Sequence, residues 1–287
     1  MRIFIAGGTG VLGRRIVPDL LDKGHDITVL SRSPNNAASL AAVGAAVASG
    51  DALDRDAVLQ AVTTANPDLI MHQLTDLSTG SSQANATLRI NATANLVSAA
   101  QVAGISRFVL QSIAWSYEPG DTPADEHVPL DTVSDEPARR LTVDAVITME
   151  ECVRQLSGAV VLRNGLLYGP DTWYAPDGAM AQAARRQALQ ADEDVTSFVH
   201  IDDAAAASVA AIEWSAGTVN IVDDVPAPGL EWVPVFSDAV GAPSPILSPA
   251  PRHPWARGAD NRYARSLGWT PRFPTWRTGM RAGLSAA

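Results

Sequence analysis

The chain has 287 residues, enough to bury a core in one large domain or in a nucleotide-binding domain with an appended lobe. Its formal charge of −10 and pI near 4.9 argue against nucleic acid or an anionic membrane as the main partner, because both require clustered Lys and Arg. Cys152 is the only cysteine, which excludes an internal disulfide, and no run reaches the ~20 apolar residues of a membrane helix. The opening Met1-Arg2-Ile3-Phe4-Ile5-Ala6 does not read as a signal peptide, so the expectation is a cytoplasmic protein with no membrane or nucleic-acid partner.

Residues 2–6 read as a short buried strand that runs into Gly7-Gly8-Thr9-Gly10-Val11-Leu12-Gly13. A helix then starts near Val11, with Ile16, Val17, Leu20 and Leu21 at helical spacing. The glycines have separate uses. Gly7 turns the chain off the strand, Gly10 admits a dinucleotide pyrophosphate to the backbone, and Gly13 lets the helix pack on the sheet. Gly7, Thr9, Gly10, Val11, Leu12 and Gly13 are therefore the candidate phosphate-binding residues, at a helix N-terminus whose dipole favours anions. The alternative is a tight strand-to-helix turn that binds nothing.

Residues 26–30 read as the second strand, ending in Ser31-Arg32-Ser33-Pro34. A carboxylate here would hold the ribose of NAD and repel the extra phosphate of NADP. Arg32 with Ser31 favours NADP(H) over NAD(H), against the plainer reading of an exposed turn arginine. A weak third strand at 45–48 leads into Gly50-Asp51-Ala52 and a helix over about 54–65, with Asp51 a cofactor contact or a turn residue. Residues 69–74 read as the fourth strand, 75–83 as a polar loop, 84–103 as a long helix and 106–112 as the fifth strand.

The Gly-x-x-Gly-x-x-Gly spacing resembles the extended and atypical branch of the short-chain dehydrogenase/reductase superfamily, which includes sugar-nucleotide epimerases and dehydratases and NmrA-like regulators. So do Arg107-Phe108-Val109-Leu110-Gln111-Ser112, Leu162-Arg163-Asn164 with Tyr168-Gly169-Pro170, Phe198-Val199-His200-Ile201-Asp202 and Leu267-Gly268-Trp269-Thr270-Pro271. The resemblance implies that Asp51 and Ala52 meet the adenine, Gln73 and Leu74 pass the cofactor, and Ser112 and Asn164 lie by the nicotinamide. It also implies that Asn91 ties its helix to the strand end, that His72 and His200 are structural, and that Asp202 or Asp203 caps a helix running to about Trp214. The fold it implies is α/β, a doubly wound parallel Rossmann sheet with a small mixed C-terminal substrate lobe. Residues 1–163 form the dinucleotide-binding domain and 164–287 mostly the lobe, with some segments returning to the sheet. Relatives often pair through helices like those around Ala84 and Ala138, which makes a homodimer one expectation and leaves the oligomeric state open.

The chain departs from the family at its catalytic pair. A Tyr-x-x-x-Lys normally handles the hydroxyl proton, the lysine lowering the tyrosine pKa. Four places on from Tyr117, Tyr168, Tyr174 and Tyr263 stand Asp121, Thr172, Gly178 and Leu267, and Lys23 is the only lysine. By register, Ile113 takes the usual catalytic hydroxyl's place, Leu141 the tyrosine's and Ala145 the lysine's. Three readings stay open: redox with a non-standard proton donor, non-redox chemistry such as cyclisation, dehydration or isomerisation on a structural dinucleotide, and an NmrA-like redox sensor or scaffold. The first is the working expectation, an NADP(H)-dependent oxidoreductase acting on a small apolar or aromatic substrate. Its leading proton-donor candidates are Tyr117 and His127 in the 113–137 loop, which also holds Trp115, Glu118, Asp121, Asp125 and Glu126, and Tyr168 outside it. Its pocket candidates are Ile113, Trp115, Leu141, Ala145 and Trp173. No metal site is expected.

Overall fold

The computed structural model describes residues 1–75 and 81–284; of the predicted polar loop, residues 76–80 lie outside the described residues. In chain order the elements are β1 (Arg2–Ala6), α1 (Gly13–Asp22), β2 (Asp26–Ser31), α2 (Ala38–Ala42), β3 (Ala46–Ser49), α3 (Arg55–Ala65), β4 (Leu69–His72) and α4 (Ser82–Val102). Then come β5 (Arg107–Ile113), α5 (Pro137–Val153), β6 (Gly158–Asn164), β7 (Leu166–Tyr168), α6 (Ala179–Arg185), β8 (Val195–Thr196), β9 (Phe198–His200) and α7 (Ile201–Ala210). The chain continues through β10 (Gly217–Ile221), β11 (Ala227–Pro228), α8 (Gly229–Ala239), α9 (Arg262–Ser266) and α10 (Trp276–Leu284).

A seven-stranded sheet has the order β10-β6-β5-β4-β1-β2-β3, and β1 pairs in parallel with both β2 and β4. All four residues of β4, and all but the first of β1, are buried. That is why both read as unbroken apolar runs, the pattern of parallel strands covered on two faces. The strand order reverses direction at β1 and β4, so a doubly wound sheet presents its ligand crevice at their carboxyl ends.

The chain divides into two compact units. The first holds Met1–Ser112, Thr132–Leu162 and Ser208–Thr218; the second holds Ile113–Asp131, Arg163–Ala207 and the chain from Val219 onward. Within the second unit, Tyr168, Tyr174, Phe198, Trp232, Phe236 and Trp276 form an aromatic core whose rings meet largely edge to face. Two short sheets belong to it, β7 with β9 in parallel and β8 with β11 antiparallel.

Several boundaries differ from expectation. Helix α1 begins at Gly13, because residues 7–12 form the turn itself. A 3-10 turn at Pro34–Ala37 and the short α2 were not foreseen, and α7 ends at Ala210, followed by a 3-10 turn at Ala211–Glu213. Residues 113–131 sit with the second unit rather than the first, for a visible reason. Tyr117 donates its hydroxyl proton to Asn220 Oδ1 at 2.5 Å, Asn220 donates to the Ala124 carbonyl at 3.1 Å, and Glu126 accepts the Asn220 N–H at 2.7 Å. Arg257 donates to the carbonyls of Thr122 and Glu118 at 2.6 and 3.2 Å, pinning the loop's middle to the late part of the chain.

Candidate active site

The glycine turn is built as its residue types require. Gly7 has φ +95°, and a Cβ there would lie 2.6 Å from the Gln73 carbonyl carbon. At Gly13 a Cβ would meet the Gly7 oxygen at 2.3 Å, whereas one at Gly10 would meet only that oxygen, at 3.2 Å. Gly7 and Gly13 thus pack the turn against the end of β4 and onto itself, and Gly10 faces open space. No side chain caps the N-terminus of α1. A helix start left uncapped behind a tight glycine turn suits a pyrophosphate. The expected set Gly7, Thr9, Gly10, Val11, Leu12 and Gly13 lies in this one loop.

At the end of β2, Ser31 is buried and donates its hydroxyl to the Ser33 carbonyl at 2.8 Å, while Arg32 is exposed. The Gly50 N–H donates to the Ser31 carbonyl at 3.0 Å, bringing the two predicted cofactor segments side by side. Asp51 Oδ1 accepts the Leu53 N–H at 3.0 Å, a turn-forming bond, and the Ala52 carbonyl accepts from Asn95 at 2.9 Å.

The end of β4 carries a hydrogen-bonded relay. The Leu74 N–H donates to His72 Nδ1 at 3.2 Å, which leaves Nε2 to donate to Thr93 Oγ1 at 3.0 Å, and Thr93 donates onward to the Arg89 carbonyl. Burial, reinforced by the charge of Arg89, pushes the His72 imidazole down to about 4, so the ring is neutral. Beside it, Gln73 is buried with neither side-chain amide atom hydrogen-bonded among the described residues. Such an orphan costs about 1–3 kcal/mol unless something arrives to satisfy it. Asn91 does not make the expected tie: it is exposed, and Thr93 and Asn95 make the contacts instead. The α4 helix is phased so that Asn85, Arg89, Thr93 and Leu96 face inward.

At the end of β5, Ser112 donates to Glu150 Oε1 at 2.6 Å, and Glu150, fully buried on α5, pairs with Arg154 at 2.7 Å. Neither residue was singled out as a partner for Ser112, although a Glu on a helix face otherwise apolar is a readable signal. On the same helix Leu141 is half-buried and Ala145 buried.

The remaining candidates belong to the second unit. Asn164 is buried, its amide nitrogen and oxygen both lacking partners among the described residues. Ile113 and Trp115 are half-buried, and Trp173 is 48% exposed. The three proton-donor candidates fare poorly. Tyr117 is buried with its hydroxyl bonded to Asn220 and its ring under the Arg163 guanidinium, and burial pushes the phenol up to about 12. Tyr168 is buried in the aromatic core and raised further still, by burial and then by Asp223 and Asp203. The His127 side chain is 96% exposed beside Asp125. All three are withdrawn as proton donors, two because they are core residues and one because solvent surrounds it. Among the described residues no cluster of three or more His, Cys, Asp or Glu could hold a metal ion.

The glycine cradle, the uncapped helix start and the unsatisfied Gln73 amide fit a nicotinamide dinucleotide. Comparison with known proteins agrees with that chemistry. The family model for the NAD dependent epimerase/dehydratase family matches residues 3–222. A 3-diazoavenalumate denitrifying reductase from a Streptomyces species is 42% identical over 306 residues, spanning 98% of this chain and 99% of that protein. A 2-alkyl-3-oxoalkanoate reductase from Stenotrophomonas maltophilia is 28% identical, over 85% of this chain and 77% of that protein. The UDP-glucose 4-epimerase of Thermus thermophilus, solved with NAD, superposes with a TM-score of 0.77 at 23% identity, covering 99% of this chain and 98% of that one. The chain therefore belongs to the NAD-dependent epimerase/dehydratase family, as an oxidoreductase of the extended short-chain dehydrogenase/reductase type.

Proposed function

We propose that the chain is an NADPH-dependent reductase that replaces the diazo group of a small aromatic substrate with hydrogen. The observation that carries this is the near full-length similarity to a denitrifying reductase, combined with apolar residues at the positions where the family's tyrosine and lysine are expected. Leu141 and Ala145 carry no ionisable group, Tyr117 is buried and hydrogen-bonded to Asn220, and His127 is exposed to solvent.

That absence is a fault for carbonyl reduction, in which an oxygen gains negative charge and must take a proton. It is no fault here. An aryl diazonium carbon gains a hydride as its C–N bond breaks, and both bonding electrons leave with dinitrogen, so no oxygen charges and no proton is consumed. Bound NADPH supplies the hydride. The chain's own residues have simpler work: Gly7 to Gly13 hold the pyrophosphate, Ser31 and Arg32 receive the ribose phosphate, and the Gln73 amide takes a polar group of the ligand. The apolar side chains of Leu141 and Ala145 keep water from a group that water would hydrolyse.

The test is an arylamine diazotised in place and offered with NADPH carrying deuterium at its transferable position. The expected result is one dinitrogen released per NADPH oxidised, deuterium in the arene, and none acquired from heavy water. Solvent deuterium in the arene, or product formed with the NADPH unchanged, would sink the proposal. Arg32→Ala should weaken NADPH about 10-fold or more and leave NADH within about twofold, as loss of one charge-assisted phosphate contact predicts.

A further inference from the structure

Arg89 stands on the inward stripe of α4, four residues from Asn85 and from Thr93, and is only 6% exposed. Its backbone carbonyl closes the relay from His72, and its charge reaches the His72 ring. Its guanidinium, by contrast, forms no hydrogen bond or ion pair with any described residue. Burial pulls it down to about 10, with no carboxylate among the described residues pulling the other way. The two other buried arginines, Arg139 and Arg163, are each engaged, Arg163 over the Tyr117 ring.

A buried cation without a counter-charge is among the more destabilising features a core can carry, and a methionine of similar length would fill the same space without it. A second unsatisfied group, the Gln73 amide, adjoins His72 in sequence at the carboxyl end of β4. Two buried polar groups without partners among the described residues, both around one strand end, describe a place that a polar, anionic ligand completes. The dinucleotide phosphates have their own seat in the Gly7 to Gly13 turn, built on β1 and α1. The anion at Arg89 is therefore a different one.

We propose that Arg89 is the anchor for a carboxylate on the substrate, fixing which end of an aromatic acid enters the site. This rests on the reductase reading above, and the relative's substrate, 3-diazoavenalumate, is by its name a carboxylate. The residue sets specificity and orientation and takes no part in bond making.

The probes are cinnamate and its uncharged isostere cinnamamide, titrated into the unaltered protein, Arg89→Met and Arg89→Lys, each with and without NADP+. NADPH is titrated separately. The unaltered protein should prefer cinnamate to cinnamamide. Arg89→Met should lose about 30-fold in cinnamate affinity, as expected for one charge-assisted bond, with cinnamamide and NADPH affinities within about twofold. Without ligand it should melt no lower than the unaltered protein, and Arg89→Lys should keep part of the preference. No preference for cinnamate, or one that survives in Arg89→Met, overturns the assignment. A fall in NADPH affinity instead gives the charge to a dinucleotide phosphate and also overturns it. So does an Arg89→Met variant that fails to fold, since the guanidinium would then be serving the fold. If the unaltered protein binds no dinucleotide yet discriminates the two probes, the reductase reading falls and the anchor stands.

Discussion

His72 is held neutral by its surroundings. Its pKa lies near 4 instead of 6.5, so its contribution to stability is complete above 6.5 and is lost as pH falls towards 4. The full loss is on the order of 3 kcal/mol. Asp223 works against it over the same range: burial raises its carboxyl from 3.8 to about 8, a contribution present below 3.8 and lost as pH rises towards 8. The ring itself is therefore the better observable. Its NMR titration should show a midpoint near 4, and a midpoint at the ordinary value would show that the ring is not buried beside Arg89 in solution. The residues around it were unevenly legible. The glycine turn could be read because each glycine answers a steric demand visible in the local sequence. Asn91 was misplaced because motif matching fixes a segment but not its helical phase, and a two-residue slip turns a helix by about 200°. The Arg89 position went unremarked for the same reason.

Helix α10 shows how an element can be positioned by one missing atom. A Cβ on Gly279 would stand 2.0 Å from the Tyr168 hydroxyl, itself buried and without a partner among the described residues. Gly279→Ala should destabilise by about 1–3 kcal/mol through overpacking, read as a lower urea midpoint. Tyr168→Phe removes the nearest obstructing atom and an unsatisfied polar group but leaves Cζ and Cε2 at 2.7 and 2.8 Å, so it should be neutral or stabilising alone and should relieve Gly279→Ala in part. If Tyr168→Phe abolished turnover, the phenol would regain its standing as a proton donor. Elements of the first unit were legible because β1 and β4 are long enough to show unbroken burial. The β8 and β11 strands have two residues each, with a proline in one, and only distant partners define them.

For the molecule as a whole, the chain passes between its two units five times, within β5, before α5, within β6, within α7 and within β10, and no single cut separates them. One passage falls between Leu162 and Arg163, beside the expected boundary; the two that set off 113–131 depend on long-range bonds, such as those from Arg257 and Asn220, that no local pattern announces. Residues 1–163 alone would lack 208–218, including the Ile212 carbonyl that accepts from Arg107. They would also strand 113–131 away from its partners. That fragment should show no cooperative urea transition by circular dichroism, and a sigmoidal one with full NADPH affinity would contradict the division.

The same threading bears on how such proteins diversify. The second unit cannot be exchanged between relatives by one recombination event, because five junctions, three of them inside neighbouring strands of one sheet, must change together. A change of specificity is therefore reached more readily by point substitutions on existing elements, such as one at Arg89 on the inner face of α4, than by trading modules.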